Sequence, residues 1–317
     1  MSKRALVTGG AGFIGSHLVD RLIDMGWHVR VLDNLSTGRL ENLKRHIGKK
    51  NFEILQADLK NREAVEKAVE GVDVVFHFAA NPEVRVSTTD PEVHYRENVE
   101  ATFSLLEAMR KKDAKELVFA SSSSVYGEPE EIPVGEEAPV RPVSVYGATK
   151  AACENLIHAY TKLYGIRAVV LRYANVVGPR LRHGVIYDLL MKLRRDPNKL
   201  EVLGDGTQTR SYVYIDDAVE ATLLAYEKSR GAFKAYNVAS EDWIAVNDVV
   251  EVLLEVTGLK PHVVYKPVLH GVGWPGDVKK IALKIDKLKE LGYRPKMKSK
   301  EAVGATAKAL VEELGLR

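Results

Sequence analysis

Tyr146 and Lys150 stand four apart in "SVYGATKAACE", a spacing that puts both side chains on one face of a helix. A free tyrosine, with a pKa of about 10, is a poor base near neutral pH. A neighbouring ammonium stabilises the phenolate, and the pair could then take a proton from an alcohol. Four serines, Ser121 to Ser124, precede the pair and follow the apolar "ELVF". Standing alone they would read as a linker; at the end of a strand they offer hydroxyls to a reaction. Near the start of the chain, Gly9, Gly12 and Gly15 in "VTGGAGFIGSHL" have the G-x-x-G-x-x-G spacing of a strand–turn–helix. Gly9 permits the turn, Gly12 lets backbone N–H groups approach a pyrophosphate, and Gly15 lets helix and strand pack closely. The helix N-terminus favours the phosphates. Asp33 closes the next strand, near the offset at which an acid bonds an adenosine ribose. Its carboxylate would repel a 2′-phosphate, which points to NAD rather than NADP, although it could instead cap the turn that follows. Asp58 ends the strand after that, where it could face the adenine.

Each of these residues needs a regular element to hold it. "RALVTGG" and "HVRVLDN" are β-branched runs, and "IGSHLVDRLIDMG" between them repeats apolar residues at helical spacing until Gly26 stops it. "FEILQAD", "VDVVFHFAA" and "KELVFASS" read as further strands, with helices over "REAVEKAVEG" and "PEVHYRENVEATFSLLEAMRKK" between them. A long helix at about 147–164 and the strand "RAVVLRYAN" follow. Nearly continuous apolar strands alternating with helices imply a parallel sheet covered on both faces, and right-handed crossovers make it doubly wound. The expected fold is α/β: a Rossmann-type doubly wound parallel sheet over residues 1–175, then a smaller α/β lobe over 176–317, with the chain returning to the main sheet around 211–240. Ligands bind such sheets at the carboxyl ends of the strands, which is where "ASSSSVYG" falls.

Composition narrows the function. The chain has 317 residues, of which 45% are hydrophobic and 28% charged, as in an ordinary globular protein. Its 46 basic and 43 acidic residues give no global attraction to nucleic acid or to an anionic membrane. A single cysteine, Cys153, forms no internal disulfide and suits a reducing, cytoplasmic location; it reads as a packed helix residue. "MSKRALVTGG" meets glycine too soon for a signal peptide, and no stretch approaches the ~20 apolar residues of a membrane span. The histidines show no metal-ligand spacing, so no metal is expected, and His17 and His77 fall inside elements where they would pack.

Together, "TGGAGFIG", "SSSSVYG" and "YGATK" resemble the extended short-chain dehydrogenase/reductase family, and within it the nucleotide-sugar epimerases of the UDP-glucose (UDP-galactose) 4-epimerase type. The resemblance extends over nearly the whole chain. It implies NAD as cofactor, a UDP-sugar as substrate, and a homodimer built on the helices at about 92–112 and 147–164. It implies Tyr146 as catalytic base and acid, Lys150 as the residue that bonds the nicotinamide ribose and tunes the tyrosine, and Ser122 as the catalytic serine. The cofactor would be lined by Gly9, Gly12, Phe13, Ile14, Gly15, Asp33, Asn34, Ser36, Thr37 and Gly38, then by Asp58, Leu59, Phe78, Ala79, Ala80, Asn98, Ser121 and Tyr173. The sugar nucleotide would meet Ser122, Ser123, Asn175, Arg210 and Asp277.

Departures from the family are informative. The 4,6-dehydratases carry Thr-Asp-Glu where this chain has Ser122, Ser123 and Ser124, and the hexuronate decarboxylases usually keep a glutamate in place of Ser124. Serine cannot make those acids' proton transfers near neutral pH. One base and one hydroxyl suit reversible oxidation at C4, hence epimerisation. Trp274 stands where an arginine often touches the diphosphate, leaving Arg180 or Arg210 to carry that charge, with Arg182 and His183 nearby. Asn81 and Pro82 replace a lysine near the cofactor pyrophosphate, with Arg85 as a possible substitute, and Ile281 matches a sugar-pocket position that is often tyrosine, which would leave room for an N-acetyl group. UDP-N-acetylhexosamine or UDP-uronate 4-epimerases and 4-keto-sugar oxidoreductases of the same family are the rival enzyme readings. A binding module that only senses NAD or a sugar nucleotide has no reason to keep both Tyr146 and Lys150.

Overall fold

Successive residues of the first strand, β1 (Arg4–Thr8), face opposite ways: Ala5 and Val7 join one apolar core and Leu6 joins another. The same division recurs in β4 (Val74–His77), with Val74 and Phe76 against Val75, and in β5 (Glu116–Ser122), with Val118 and Ala120 against Leu117 and Phe119. A sheet buried on both faces must be covered on both. In this computed structural model, which describes residues 2–316, the helices supply that cover. One face receives α1 (Phe13–Asp24) through Leu18, Val19 and Leu22. The other receives α2 (Arg62–Val69), α4 (Ala101–Lys111) and α5 (Val145–Tyr164), through Val65, Leu105 and Ile157 among others. A short α3 (Pro91–His94) precedes α4.

With β2 (His28–Asp33), β3 (Phe52–Gln56) and β6 (Arg167–Tyr173), these strands pair in parallel. A later strand, Phe233–Val238, adds to β6 and completes a seven-stranded sheet. From that edge inward the order runs through β6, β5, β4, β1, β2 and β3, so the winding reverses between β4 and β1. This is the expected doubly wound α/β sheet, and the reversal opens a crevice at the strands' carboxyl ends. The helix Ile215–Lys228 covers the same face as α1, with Val219, Leu223 and Tyr226 in the core shared with Leu18.

Two helical segments differ from the sequence expectation. The run "PEVHYRENVEATFSLLEAMRKK" is not one α-helix: a π-helical turn, Tyr95–Glu100, separates α3 from α4 and carries Asn98. The long helix starts at Val145 rather than about 147, because the Ser144 hydroxyl accepts a hydrogen bond from Gly147 N–H at 3.1 Å and caps it. After β6 the lobe has its own core, formed by Ile186, Leu189 and Leu190 on the helix Gly184–Arg195, Val249 and Leu253 on Val246–Thr257, and Val303 and Leu310 on Ser299–Leu314. Two short parallel strands, Lys199–Leu203 and His262–Lys266, flank it. No helix among the described residues is long and apolar enough to cross a membrane.

Candidate active site

The glycine loop at the end of β1 is built so tightly that side chains are excluded. Gly9 has φ +67°, and a Cβ there would lie 2.7 Å from the Ala79 backbone nitrogen. A Cβ on Gly15 would lie 2.2 Å from the Gly9 carbonyl oxygen, so α1 approaches β1 as closely as backbone allows. Gly12 stands at the start of α1 with no side-chain cap, and the first turn contains no acid. The first N–H groups of that helix are therefore available to an anion.

Above this loop lies one cavity of about 810 Å³, running from the glycine loop to the lobe. The expected residues Gly9, Gly12, Phe13, Ile14 and Gly15 line its first part, with Asp33, Asn34, Ser36 and Thr37 from the end of β2. Leu59, Phe78, Ala79, Ala80, Ser121 and Tyr173 continue the wall to Tyr146 and Lys150. Ser122, Ser123, Asn175, Arg210 and Asp277 line the same cavity, together with Trp274 and Ile281.

Gly38, Asp58 and Asn98 are not part of that wall. Gly38 lies behind Asp33, where a Cβ would meet a carboxylate oxygen at 2.8 Å. Asp58, expected to face the adenine, is turned instead to Asn34 at 2.9 Å and to Lys60, whose ammonium reaches it at 3.0 Å. Asn98 is buried in the π turn: its carbonyl oxygen accepts from Asn81 N–H at 3.1 Å and its amide donates to Thr149 at 2.9 Å. It ties the loop after β4 to α5 instead of presenting itself to a ligand.

The residues present fit a dinucleotide. Beyond the uncapped helix start, Asp33 is held by Ala11 N–H at 2.9 Å and Leu35 N–H at 2.8 Å, one on each oxygen. A carboxylate oxygen has a second lone pair, so both oxygens can still accept from a ribose diol. Burial pushes the Asp33 carboxyl above its usual range, against the pull of those two bonds. The Tyr173 hydroxyl is used internally, 2.6 Å from Thr222, so this residue gives the cavity its ring.

At the end of β5 the four serines take separate roles. Ser121 donates to Glu154 at 2.5 Å. Ser122 Oγ accepts from Ser124 N–H at 3.2 Å and from the Ser124 hydroxyl at 2.9 Å. Both lone pairs of Ser122 are then occupied, and what remains to it is to donate its own proton. Ser122 acts to lower the Tyr146 pKa, yet burial dominates and pushes the phenol up to about 12. The Tyr146 N–H is fixed by Ser87 Oγ at 3.1 Å. Lys150 is buried, donates to the Ala120 carbonyl at 2.8 Å, and lies 5.9 Å from the centre of the Tyr146 ring. Burial brings its pKa down to about 8. The expectation that Lys150 lowers the Tyr146 pKa is not met; Ser122 is the group that does so.

Several cations considered for the diphosphate are already engaged. Arg210 donates to Asp277 at 2.7 Å and to the Thr209 carbonyl at 2.8 Å. Arg180 reaches back to Ser16 at 3.0 Å and Asp20 at 2.8 Å on α1, Arg85 bonds Glu83 at 3.0 Å, and Arg182 bonds Glu313 at 2.7 Å. His94 is a residue that sequence reasoning passed over: it is fully buried, its ring packs 5.6 Å from that of Tyr146, and neither ring nitrogen has a partner. Nothing in its sequence context signals this. Cys153 and His77 are packed, His77 between Thr8 at 2.7 Å and Thr102 at 3.0 Å.

Residues 5–239 match the family model described as the NAD dependent epimerase/dehydratase family. The chain belongs to that family. Among related epimerases of known structure, a crystallised UDP-galactose 4-epimerase is 50% identical, with a TM-score of 0.88 over 98% of this chain and 99% of the other. The UDP-glucose 4-epimerase of Thermus thermophilus, solved with NAD, is 37% identical, with a TM-score of 0.85 over 96% of this chain and 98% of the other. In sequence, the UDP-glucose 4-epimerase of Streptomyces lividans is 34% identical over 275 residues, 81% of this chain and 82% of that protein. The matched span includes the glycine loop, the serine run and the Tyr146–Lys150 pair.

Proposed function

We infer that this family member is an NAD-dependent UDP-sugar 4-epimerase acting on the UDP-glucose/UDP-galactose pair through a transient 4-keto sugar. The observation that carries the reading is the Ser122–Ser124 pair: three hydroxyls and no carboxylate at positions 122–124, with Ser122 left only a proton to give. Elimination or decarboxylation needs an acid there; oxidation and re-reduction at C4 does not. The relatives named above support the choice of sugar.

NAD, when bound, supplies the redox chemistry, taking a hydride from C4 and giving it back. Tyr146 takes the proton of the 4-hydroxyl and later returns it. Ser122 donates a hydrogen bond to the C4 oxygen and orients it. Lys150 holds the ribose and keeps positive charge beside Tyr146. Asp33, the amides at the start of α1, and the apolar wall of Phe78 and Leu59 bind the dinucleotide. Arg210, Asp277 and Asn175 bind the nucleotide sugar. In this reading residues 1–175, with the return at 211–240, hold the cofactor, and 176–317 hold the substrate. The enzyme works in the cytoplasm, in galactose metabolism, as a homodimer; exposed Phe103 on α4 and Leu163 on α5, the latter 70% accessible, are the surface that pairing would cover.

The test is to denature purified protein, identify the released nicotinamide, and incubate native protein with UDP-galactose and no added cofactor. UDP-glucose should form, and Tyr146→Phe should stop turnover while NAD stays bound. Net consumption of added NADH, or no C4 inversion of any UDP-hexose, would overturn the reading. Light scattering at micromolar concentration decides between monomer and dimer.

A further inference from the structure

The end of β5 is tied to the protein interior by an ion pair that the reaction described above leaves unused. Glu154 follows Lys150 by one turn of α5 and is 6% exposed. One carboxylate oxygen accepts from Ser121 at 2.5 Å and from Arg172 Nε at 3.0 Å; the other accepts from the Arg172 terminal nitrogen at 2.6 Å. Arg172, on β6, also donates to the Tyr126 hydroxyl at 3.0 Å and the Glu136 carbonyl at 3.0 Å. Tyr126 passes the chain on to Asn237 at 2.7 Å, on the edge strand of the sheet. Glu154 therefore has little freedom, and it fixes the residue immediately before Ser122.

We propose that Glu154 is a positioning residue for the reaction: it pins Ser121, and with it the Ser122–Ser124 hydroxyl pair, and it supplies the negative charge that faces the buried ammonium of Lys150. The proposal rests on Tyr146, Lys150 and Ser122 being the catalytic set. The groups that face Lys150 can be taken element by element. From α5 come Tyr146, Cys153 and Glu154; from β5, the Ala120 carbonyl and the Phe119 ring; from β4, His77; from α3, His94. Burial holds His77 neutral by pulling it down to about 3, lowers His94, and raises Cys153 and Tyr146, so these groups carry no charge near neutrality. Glu154 is left as the charged group that acts on Lys150 and favours its protonated form. Around Glu154 itself stand Ser121, Arg172 and Tyr126.

The sign follows. Without the Glu154 charge Lys150 gives up its proton at a lower pH. Two variants test this: Glu154→Gln, which keeps the shape, and Glu154→Gln with Arg172→Met, which avoids leaving a buried guanidinium unpaired. The readouts are the pH dependence of Lys150 acetylation by acetic anhydride in the holoprotein, followed by mass spectrometry, and the alkaline limb of kcat with UDP-galactose. Glu154→Gln should shift the labelling midpoint down by about one pH unit, as expected for loss of one nearby charge; the double variant loses the Arg172 charge as well, so its midpoint should move less, while its kcat should still fall because Ser121 has lost its carboxylate acceptor. The alkaline limb should follow, with KM changed less than about twofold, a difference worth under ~0.5 kcal/mol. Glu154→Asp should recover much of the wild-type limb. An unmoved labelling midpoint in folded Glu154→Gln, or an unchanged kcat in the folded double variant, overturns the proposal, whatever happens to thermal stability. Failure of both variants to fold also overturns it, by making Glu154 a structural residue only. Absence of C4 inversion in the wild-type protein would instead remove the functional reading and leave the labelling result standing, so the two failures are distinguishable.

Discussion

By their burial alone, Tyr146 and Lys150 titrate in the wrong order to form a phenolate–ammonium pair. Burial pushes Tyr146 up to about 12, with Ser122 pulling part of the way back, and burial draws Lys150 down to about 8. As pH rises, the lysine therefore loses its proton first. At pH ~8 the phenol lies about four units above the solution, and at ~1.4 kcal/mol per unit its ionisation costs about 5–6 kcal/mol. A second positive charge, added to that of protonated Lys150, would offset much of this. A unit charge brought to about 4 Å at an effective dielectric of about 20 is worth about 4 kcal/mol, or about three pH units. The nicotinamide ring of NAD in its oxidised form carries such a charge. The assay is tyrosinate absorbance, taken as wild type minus Tyr146→Phe, with cofactor stripped and then restored. Stripped protein should show no Tyr146 tyrosinate until near pH 12. With NAD bound the onset should fall by about three units, to about pH 9. Superimposable curves with and without NAD would refute the reasoning, and so would a tyrosinate band below pH ~10 in stripped protein, since that is the free tyrosine value.

Two further substitutions probe the scaffold. Gly15→Ala would set a Cβ 2.2 Å from the Gly9 carbonyl, a backbone atom that cannot turn aside, so a loss of about 1–3 kcal/mol in stability and release of NAD are expected; unchanged thermal midpoint and cofactor content would contradict the close approach of α1 to β1. Ser124→Ala removes one of the two bonds that leave Ser122 a donor, and should lower kcat about tenfold, or about 1.4 kcal/mol, with KM unchanged and recovery in Ser124→Thr; an unaffected kcat would mean that Ser122 is oriented by something else.

What the sequence discloses about this site, and what it hides, divides by distance along the chain. The glycine loop is legible because each glycine answers to a constraint within a few residues: the turn at Gly9, the Gly9–Gly15 approach. The alternation of Ala5, Leu6 and Val7 is legible for the same reason, and it leads directly to a sheet covered on both faces. The start of α5 was also within reach, since Ser144 three residues before Gly147 is an ordinary N-cap pattern. Asn98 was not. A π turn has no sequence signature, and within it the Asn98 side chain is bonded to Asn81 and Thr149. Nor was the order of the two pKa values, which depends on burial beneath strands that lie far from Tyr146 in sequence.

Arg210 and Asp277 carry that division to the substrate. Read separately, one is a cation for the diphosphate and the other an acceptor for a ribose hydroxyl. Folded, they are 67 residues apart in sequence and 2.7 Å apart in space, bonded to each other. The Arg210 terminal nitrogens are further taken by the carbonyls of Thr209, Val278 and Lys279, which leaves Nε. The second oxygen of Asp277 accepts from Gly273 N–H at 3.0 Å, closing the turn that carries Trp274. A guanidinium so held keeps its charge and its place but has one N–H left to direct at a phosphate. Asp277 thus fixes Arg210 and the Trp274 turn on one wall of the cavity. The missing arginine at position 274 is consistent with that arrangement, because a second guanidinium there would compete with Arg210 for the same carboxylate, whereas an indole does not.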